Sequence, residues 1–156
     1  MSRRVEIAHV AARVIAEQGL QQASLRDVAR EMDVTIGTIT HHFRDRDDLL
    51  RTTFEVTVSA VRERAGQAAQ GLRGIELLAA LLSEGLATSK RRRVEAAVWL
   101  AFSLSATTNA HHAQLCRRLY QEWEAALSAV LTELGLEAAE AEDAARILIA
   151  AADGIA

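Results

Sequence analysis

The sequence predicts an all-α protein, with a compact N-terminal three-helix unit followed by a larger helical bundle. Two observations predict the class. The 156 residues contain no proline and are dominated by alanine, leucine, arginine and glutamate, residues that lose little on entering a helix. Apolar residues also recur at three- and four-residue spacing, between short breaks built from Gly, Ser, Thr, Asn and Asp. A third observation divides the chain. Apolar stripes are narrow before about residue 66 and broad after residue 75, which marks helices buried against several neighbours.

The first helix is expected from Arg3 to Gln18. Val5, Ala8, Ala12, Ile15 and Ala16 form its inner stripe, and Gly19 stops it. After a short loop, Leu20–Ala23, Ser24 stands at an N-cap position with Asp27 three residues on, a shortened capping box. Leu25, Val28, Ala29 and Met32 give the second helix its apolar face. Asp33-Val34-Thr35 supplies a turn residue, an apolar plug and a cap. A short third helix follows, Ile36–Phe43, with Ile39 and Phe43 facing inward. The fourth carries Leu49, Leu50, Phe54, Val58, Val61 and Ala65, and should fade where three glycines fall between Gly66 and Gly74. Further helices are expected at Ile75–Ala87, Val94–Thr107, Ala113–Leu134 and about Glu137–Ala152. The domain boundary is placed at residue 46, giving units 1–46 and 47–156.

Bulk properties narrow the function. Cys116 is the single cysteine, so no intrachain disulfide can form, and a cytoplasmic setting is expected. No stretch reaches the ~18 apolar residues of a membrane span, so no membrane partner is expected. Net charge is −3, and residues 1–51 carry eight Arg against eight Asp and Glu. A nucleic-acid face must therefore come from the placement of charge and not from its total.

Residues 24–43 read SLRDVAREMDVTIGTITHHF. A short helix, a tight turn and a second short helix presented outward are what a DNA-reading helix-turn-helix requires; the alternative is an ordinary helical hairpin in a core. Ala29 is small where the two helices cross, and Gly37 lets backbone approach a ligand. Thr35, Ile36, Thr38, Thr40, His41 and His42 are the outward residues. Hydroxyls and imidazoles suit phosphates and base edges, and Ile36 suits a thymine methyl. Ser24 caps its helix and can donate to a phosphate. Arg26 either contacts DNA or pairs with Asp27 or Glu31.

These residues resemble the TetR family of transcriptional regulators, strongly across residues 3–54. The resemblance rests on Val34, Thr35, Gly37, Ile39, His42, Phe43 and Leu49. Two positions depart: Thr40 stands where the family usually has Tyr, and Arg46 where it usually has Lys. Both are commonly phosphate contacts, which Arg46 retains the chemistry for. Residues 94–127 show a weaker similarity to the BetI-like branch, which includes choline-responsive repressors. The resemblance implies an all-helical homodimer that binds a palindromic operator in double-stranded DNA. It also implies repression relieved by a small-molecule effector in the C-terminal bundle. Family members are usually longer, and a helix is expected to continue past Ala156, so the bundle is expected to lack its last helix.

Trp99 and Phe102 share one helix face, and Tyr120 and Trp123 another. With Phe54, Val58, Ser103 and Thr107 they are candidate effector-lining residues; bundle core or dimer contact is the alternative. Apolar walls with a few polar groups suit a small molecule, and aromatic faces attract a quaternary ammonium. His41-His42 and His111-His112 are adjacent pairs whose rings point about 100° apart on a helix, so no metal site is expected. Lys90-Arg91-Arg92-Arg93 is expected to be a solvated helix start that neutralises Glu84 or Glu95, with a second DNA contact or a nuclear signal as the other readings. No phosphate loop, nucleophile elbow or carboxylate–histidine constellation is present, so no catalytic residues and no cofactor are expected. Two other readings fit the sequence: a helical interaction protein that does not bind DNA specifically, and a four-helix enzyme using the histidines.

Overall fold

The computed structural model describes residues 2–155. They form eight helices and no strand: α1 (Arg3–Gln18), α2 (Leu25–Glu31), α3 (Ile36–Thr40), α4 (Arg46–Ala68), α5 (Gly74–Glu84), α6 (Lys90–Ser105), α7 (Ala110–Glu133) and α8 (Ala138–Ile155). Side-chain hydrogen bonds cap the starts of α1, α2, α3, α4, α6 and α7, whereas α5 follows Arg73 without one. Ser24 accepts from the Asp27 amide at 3.2 Å, while the Asp27 carboxylate accepts from the Ser24 amide at 3.2 Å. The short Asp side chain thus completes a full capping box. Asp33 sits at φ +53, the left-handed conformation that Asp tolerates better than most residues.

Several boundaries differ from those read in the sequence, and the caps explain them. Ser89 accepts from the Arg92 amide at 3.2 Å, so α6 begins at Lys90 and not at Val94. Asn109 Oδ1 accepts the amides of His111 and His112 at 3.0 and 3.1 Å, starting α7 at Ala110. Asp45 caps α4 by accepting from the Asp48 amide at 2.8 Å. That helix runs on to Ala68 through Gly66, which costs only about 1 kcal/mol relative to alanine in a helix interior. α3 ends at Thr40, three residues short of Phe43, and α5 ends at Glu84.

The largest buried cluster runs from the N-terminal helices into the bundle. Ile7, Val14 and Ile15 of α1, Val28 of α2, Ile39 of α3 and Leu49, Leu50 and Phe54 of α4 join Val98 and Phe102 of α6, and Leu115 and Leu119 of α7. A second cluster holds Leu78 of α5, Leu127, Val130 and Leu131 of α7, and Ala141, Ala145 and Ile149 of α8. Arg4 staples α1 to the end of the helix-turn-helix. It donates to Asp48 Oδ1 at 2.6 Å, to Thr52 Oγ1 at 2.8 Å and to the His42 carbonyl, and lies 4.3 Å from the centre of the Phe43 ring. Burial works against the charged form of Asp48. The Arg4 bond, the Arg44 amide and the two nearby positive charges outweigh it and hold the carboxyl below its usual range. No helix among the described residues is long and apolar enough to cross a membrane.

Candidate nucleic-acid interface and ligand cavity

Two anchors fix α3. Ile39 is fully buried and Phe43 is 1% exposed, so the opposite side of the helix faces outward. Thr35, Ile36, Gly37, Thr40 and His41 are exposed there, and Thr38 and His42 are half-buried. Thr35 caps the helix by accepting from the Thr38 amide at 3.3 Å, and the two hydroxyls lie 3.1 Å apart. A Cβ at Gly37 would meet only the Thr35 hydroxyl, at 3.6 Å. The fold itself does not demand glycine there, and the bare backbone is open to a ligand.

The charged neighbours sort cleanly. Asp27 pairs with Arg30 at 2.6 Å and Glu31 lies 3.8 Å from Arg13. Neither of the partners considered for Arg26 is taken by it, and its side chain is exposed. Ser24, Leu25, Arg26, Ile36, Thr40 and Arg46 surround a shallow depression between α2 and α3. Two of its residues bond backbone carbonyls of their own chain. Thr40 donates to the Gly37 carbonyl at 3.2 Å. Arg46 donates from Nε to the Ala23 carbonyl at 2.8 Å and from Nη2 to the Leu20 carbonyl. The sequence suggested a free phosphate-binding fork at Arg46; the fork is occupied by the α1–α2 loop.

A cavity of about 450 Å³ opens between α4, α5, α6 and α7. Phe54, Val58, Val61, Trp99, Leu119 and Trp123 give it apolar walls. Gly85 receives the edge of the Trp123 ring: a Cβ there would lie 3.1 Å from Trp123 Cη2. Of the eight candidate lining residues, Phe54, Val58, Trp99 and Trp123 reach the cavity. The other four do not, which corrects the sequence reading. Phe102 is fully buried behind Phe54, with ring centres 4.3 Å apart. Ser103 is half-buried away from the cavity, and Thr107 is exposed and bonds the Leu104 carbonyl at the end of α6. Tyr120 stands behind Trp99, edge to face at 4.9 Å.

Charges ring the cavity, and most are paired. Arg64 bonds Glu84 at 3.1 Å and Glu95 at 2.6 Å, Arg91 bonds Glu95 at 3.0 Å, and Arg92 bonds Glu84. The basic run 90–93 thus supplies partners for both Glu84 and Glu95, the carboxylates suggested by its sequence. Glu95 and Glu84 hold the Arg64 guanidinium above its ordinary pKa. Arg62 pairs with Glu122. Asp153 differs. Its Oδ2 accepts from the Tyr120 hydroxyl at 2.5 Å, Tyr120 accepts from Trp99 Nε1 at 3.2 Å, and no arginine or lysine among the described residues pairs with it. Burial and the Asp153 bond push the Tyr120 phenol up to about 12, so it stays a donor. The sequence reading missed Asp153; its only signal was a carboxylate near the end of an otherwise apolar helix face.

Of the remaining histidines, His9 and His111 are exposed and His112 is built into the core. His112 is 3% exposed, packs tilted against Phe102 with ring centres 4.7 Å apart, and shares a 2.8 Å bond with Ser105 through Nδ1. Its Nε2 lies 3.4 Å from Asp47 Oδ1, ion-pair distance without hydrogen-bond geometry. Burial lowers its pKa more than Asp47 raises it. Among the described residues, no three His, Cys, Asp or Glu side chains are placed to share an ion. Cys116 is buried, and burial raises its thiol pKa.

Residues 7–53 match the family described as bacterial regulatory proteins, tetR family, and residues 74–156 match the C-terminal domain of BetI-type transcriptional repressors. The HTH-type transcriptional regulator PksA of Bacillus subtilis is 32% identical over 102 residues, 65% of this chain and half the length of that relative. A transcriptional regulator of Rhodococcus sp. Rha1 superposes with a TM-score of 0.89 at 32% identity, covering 99% of this chain and 81% of the other. A regulator of Saccharomonospora viridis, solved in complex with choline, superposes with a TM-score of 0.87 at 26% identity, covering 97% and 81%.

Proposed function

The chain belongs to the tetR family of bacterial regulatory proteins, with a BetI-type C-terminal half, and from that premise we propose that it is a cytoplasmic repressor released by a small organic cation. It acts as a homodimer. Each protomer lays α3 in the major groove of one half-site of a palindromic operator, the half-sites lying about 34–36 Å or a multiple apart. Thr35, Ile36, Thr38 and His41 meet base edges, Ser24, Arg26 and His42 meet the backbone, and Gly37 admits close approach. The observation that carries this reading is the anchoring of α3 by Ile39 and Phe43, which leaves the opposite, largely polar face of the helix exposed. Catalysis has no part in it.

The effector reading rests on the cavity. Three aromatic side chains, Phe54, Trp99 and Trp123, line it, and Asp153 is the carboxylate on its rim that has no basic partner among the described residues. Aromatic faces and an uncompensated carboxylate favour a cation over a neutral or anionic ligand. The choline-bound relative from Saccharomonospora viridis supports the same class. Binding shifts the DNA-competent population only through unequal affinity for the two states. The buried cluster shared by α1, α4 and α6 gives cavity and reading head a common core through which that difference can act.

The DNA half is tested by titrating the protein against a duplex it selects from a random-sequence pool, and against the same bases shuffled, over stepped salt. Affinity should fall steeply with salt for both duplexes, and the selected one should bind ~10³-fold or more tightly at physiological salt. Equal affinities would leave a helical protein that does not read DNA.

A further inference from the structure

We propose that Arg44, and not Arg46, grips the DNA backbone beside the reading helix, and that Arg46 is a strut for the α1–α2 loop. The assignment rests on the DNA-binding reading above and deepens it.

Arg46 is committed within its own chain. Its guanidinium closes the turn between α1 and α2 by donating to the Ala23 carbonyl at 2.8 Å and to the Leu20 carbonyl. Reaching out to a phosphate would strand both acceptors. Arg44 is the opposite case. Its backbone amide donates to Asp48 Oδ2 at 3.2 Å, which fixes its Cα, while its side chain is 82% exposed. The side chain's contact with Asp48 is a loose one, Nε to Oδ2 at 3.8 Å. Asp48 does not depend on it: the carboxylate is 5% exposed and already receives Arg4 at 2.6 Å and Arg51 at 2.9 Å. The Arg44 fork can therefore leave without exposing an uncompensated buried charge. It directly follows Phe43, whose burial fixes the end of the reading segment. A held backbone with a free guanidinium next to a groove-facing helix is the arrangement that a phosphate contact needs.

The test compares wild type, Arg44→Ala, Arg44→Lys and Arg46→Ala on the selected and shuffled duplexes over stepped salt, with thermal unfolding of each protein. Arg44→Ala should flatten the slope of log K against log salt by about 0.9 per bound protomer, for both duplexes, at an unchanged melting temperature. Arg44→Lys should restore the slope, since lysine keeps the charge. Arg46→Ala should melt earlier and, where folded, keep the wild-type slope. A wild-type slope in Arg44→Ala overturns the assignment, as does a flattened slope with unchanged melting in Arg46→Ala. If Arg46→Ala does not fold, its strut role stands and the two Arg44 variants decide the phosphate contact. Absence of salt-dependent binding by wild type itself sinks the DNA-binding reading and this assignment with it.

Discussion

Phe54→Ala is expected to lower the unfolding free energy by about 3–5 kcal/mol, the range for emptying a fully buried aromatic site. Phe54 has no exposed surface and stacks on Phe102 at 4.3 Å and Trp99 at 5.7 Å. It also forms part of the cavity wall. Neighbours on α6 are held by their own contacts, so the void closes only in part. For a chain of this length each kcal/mol moves the midpoint by roughly 2–4 °C, so thermal unfolding should register a fall of about 6–20 °C. A loss below about 1 kcal/mol would mean that the stack is not a closed part of the core.

Asp153→Asn should weaken binding of choline by about 2 kcal/mol, roughly thirtyfold, the scale of a hydrogen bond or contact to a charged group. The substitution is nearly isosteric, and an amide oxygen still accepts from Tyr120, so the Trp99–Tyr120 pair should stay in place. Calorimetry should show no comparable loss for the neutral carbon isostere, in which a tert-butyl group replaces trimethylammonium. Equal losses for both ligands would make Asp153 a packing residue, and no loss for either would remove it from the site.

The helices were legible because their signals are local. Ser24 with Asp27, Thr35 before α3 and Gly19 after α1 act within a turn of their own helices, and each sits where its spacing placed it. Ser89 and Asn109 lie in the gaps between the expected helices, but their capping starts α6 and α7 about one turn before the apolar stripe begins. The anchors Ile39 and Phe43 followed from spacing alone. What sequence did not disclose depends on contacts across the fold. Helical periodicity put Trp99 and Phe102 on one face, yet said nothing of depth, and one lines the cavity while the other lies behind it. Arg46 reads as a free cation until the carbonyls of Leu20 and Ala23, more than twenty residues earlier, come within reach. Arg4 and Asp48 are 44 residues apart, and nothing local announces their pairing. Asp153 became a candidate only once the charges around it were seen to be paired elsewhere.

If a cation in the bundle cavity loosens the grip of α3 on DNA, one titration measures that coupling directly. The wild-type protein is held on its selected duplex at fixed salt while choline, or its neutral tert-butyl isostere, is added and bound DNA is followed by fluorescence anisotropy. Release by the cation, with choline binding weakened reciprocally by the duplex, is the predicted result, since coupling between two sites must act equally in both directions. Choline that binds the protein and leaves the duplex affinity unchanged would contradict the account, as would equal release by the neutral isostere.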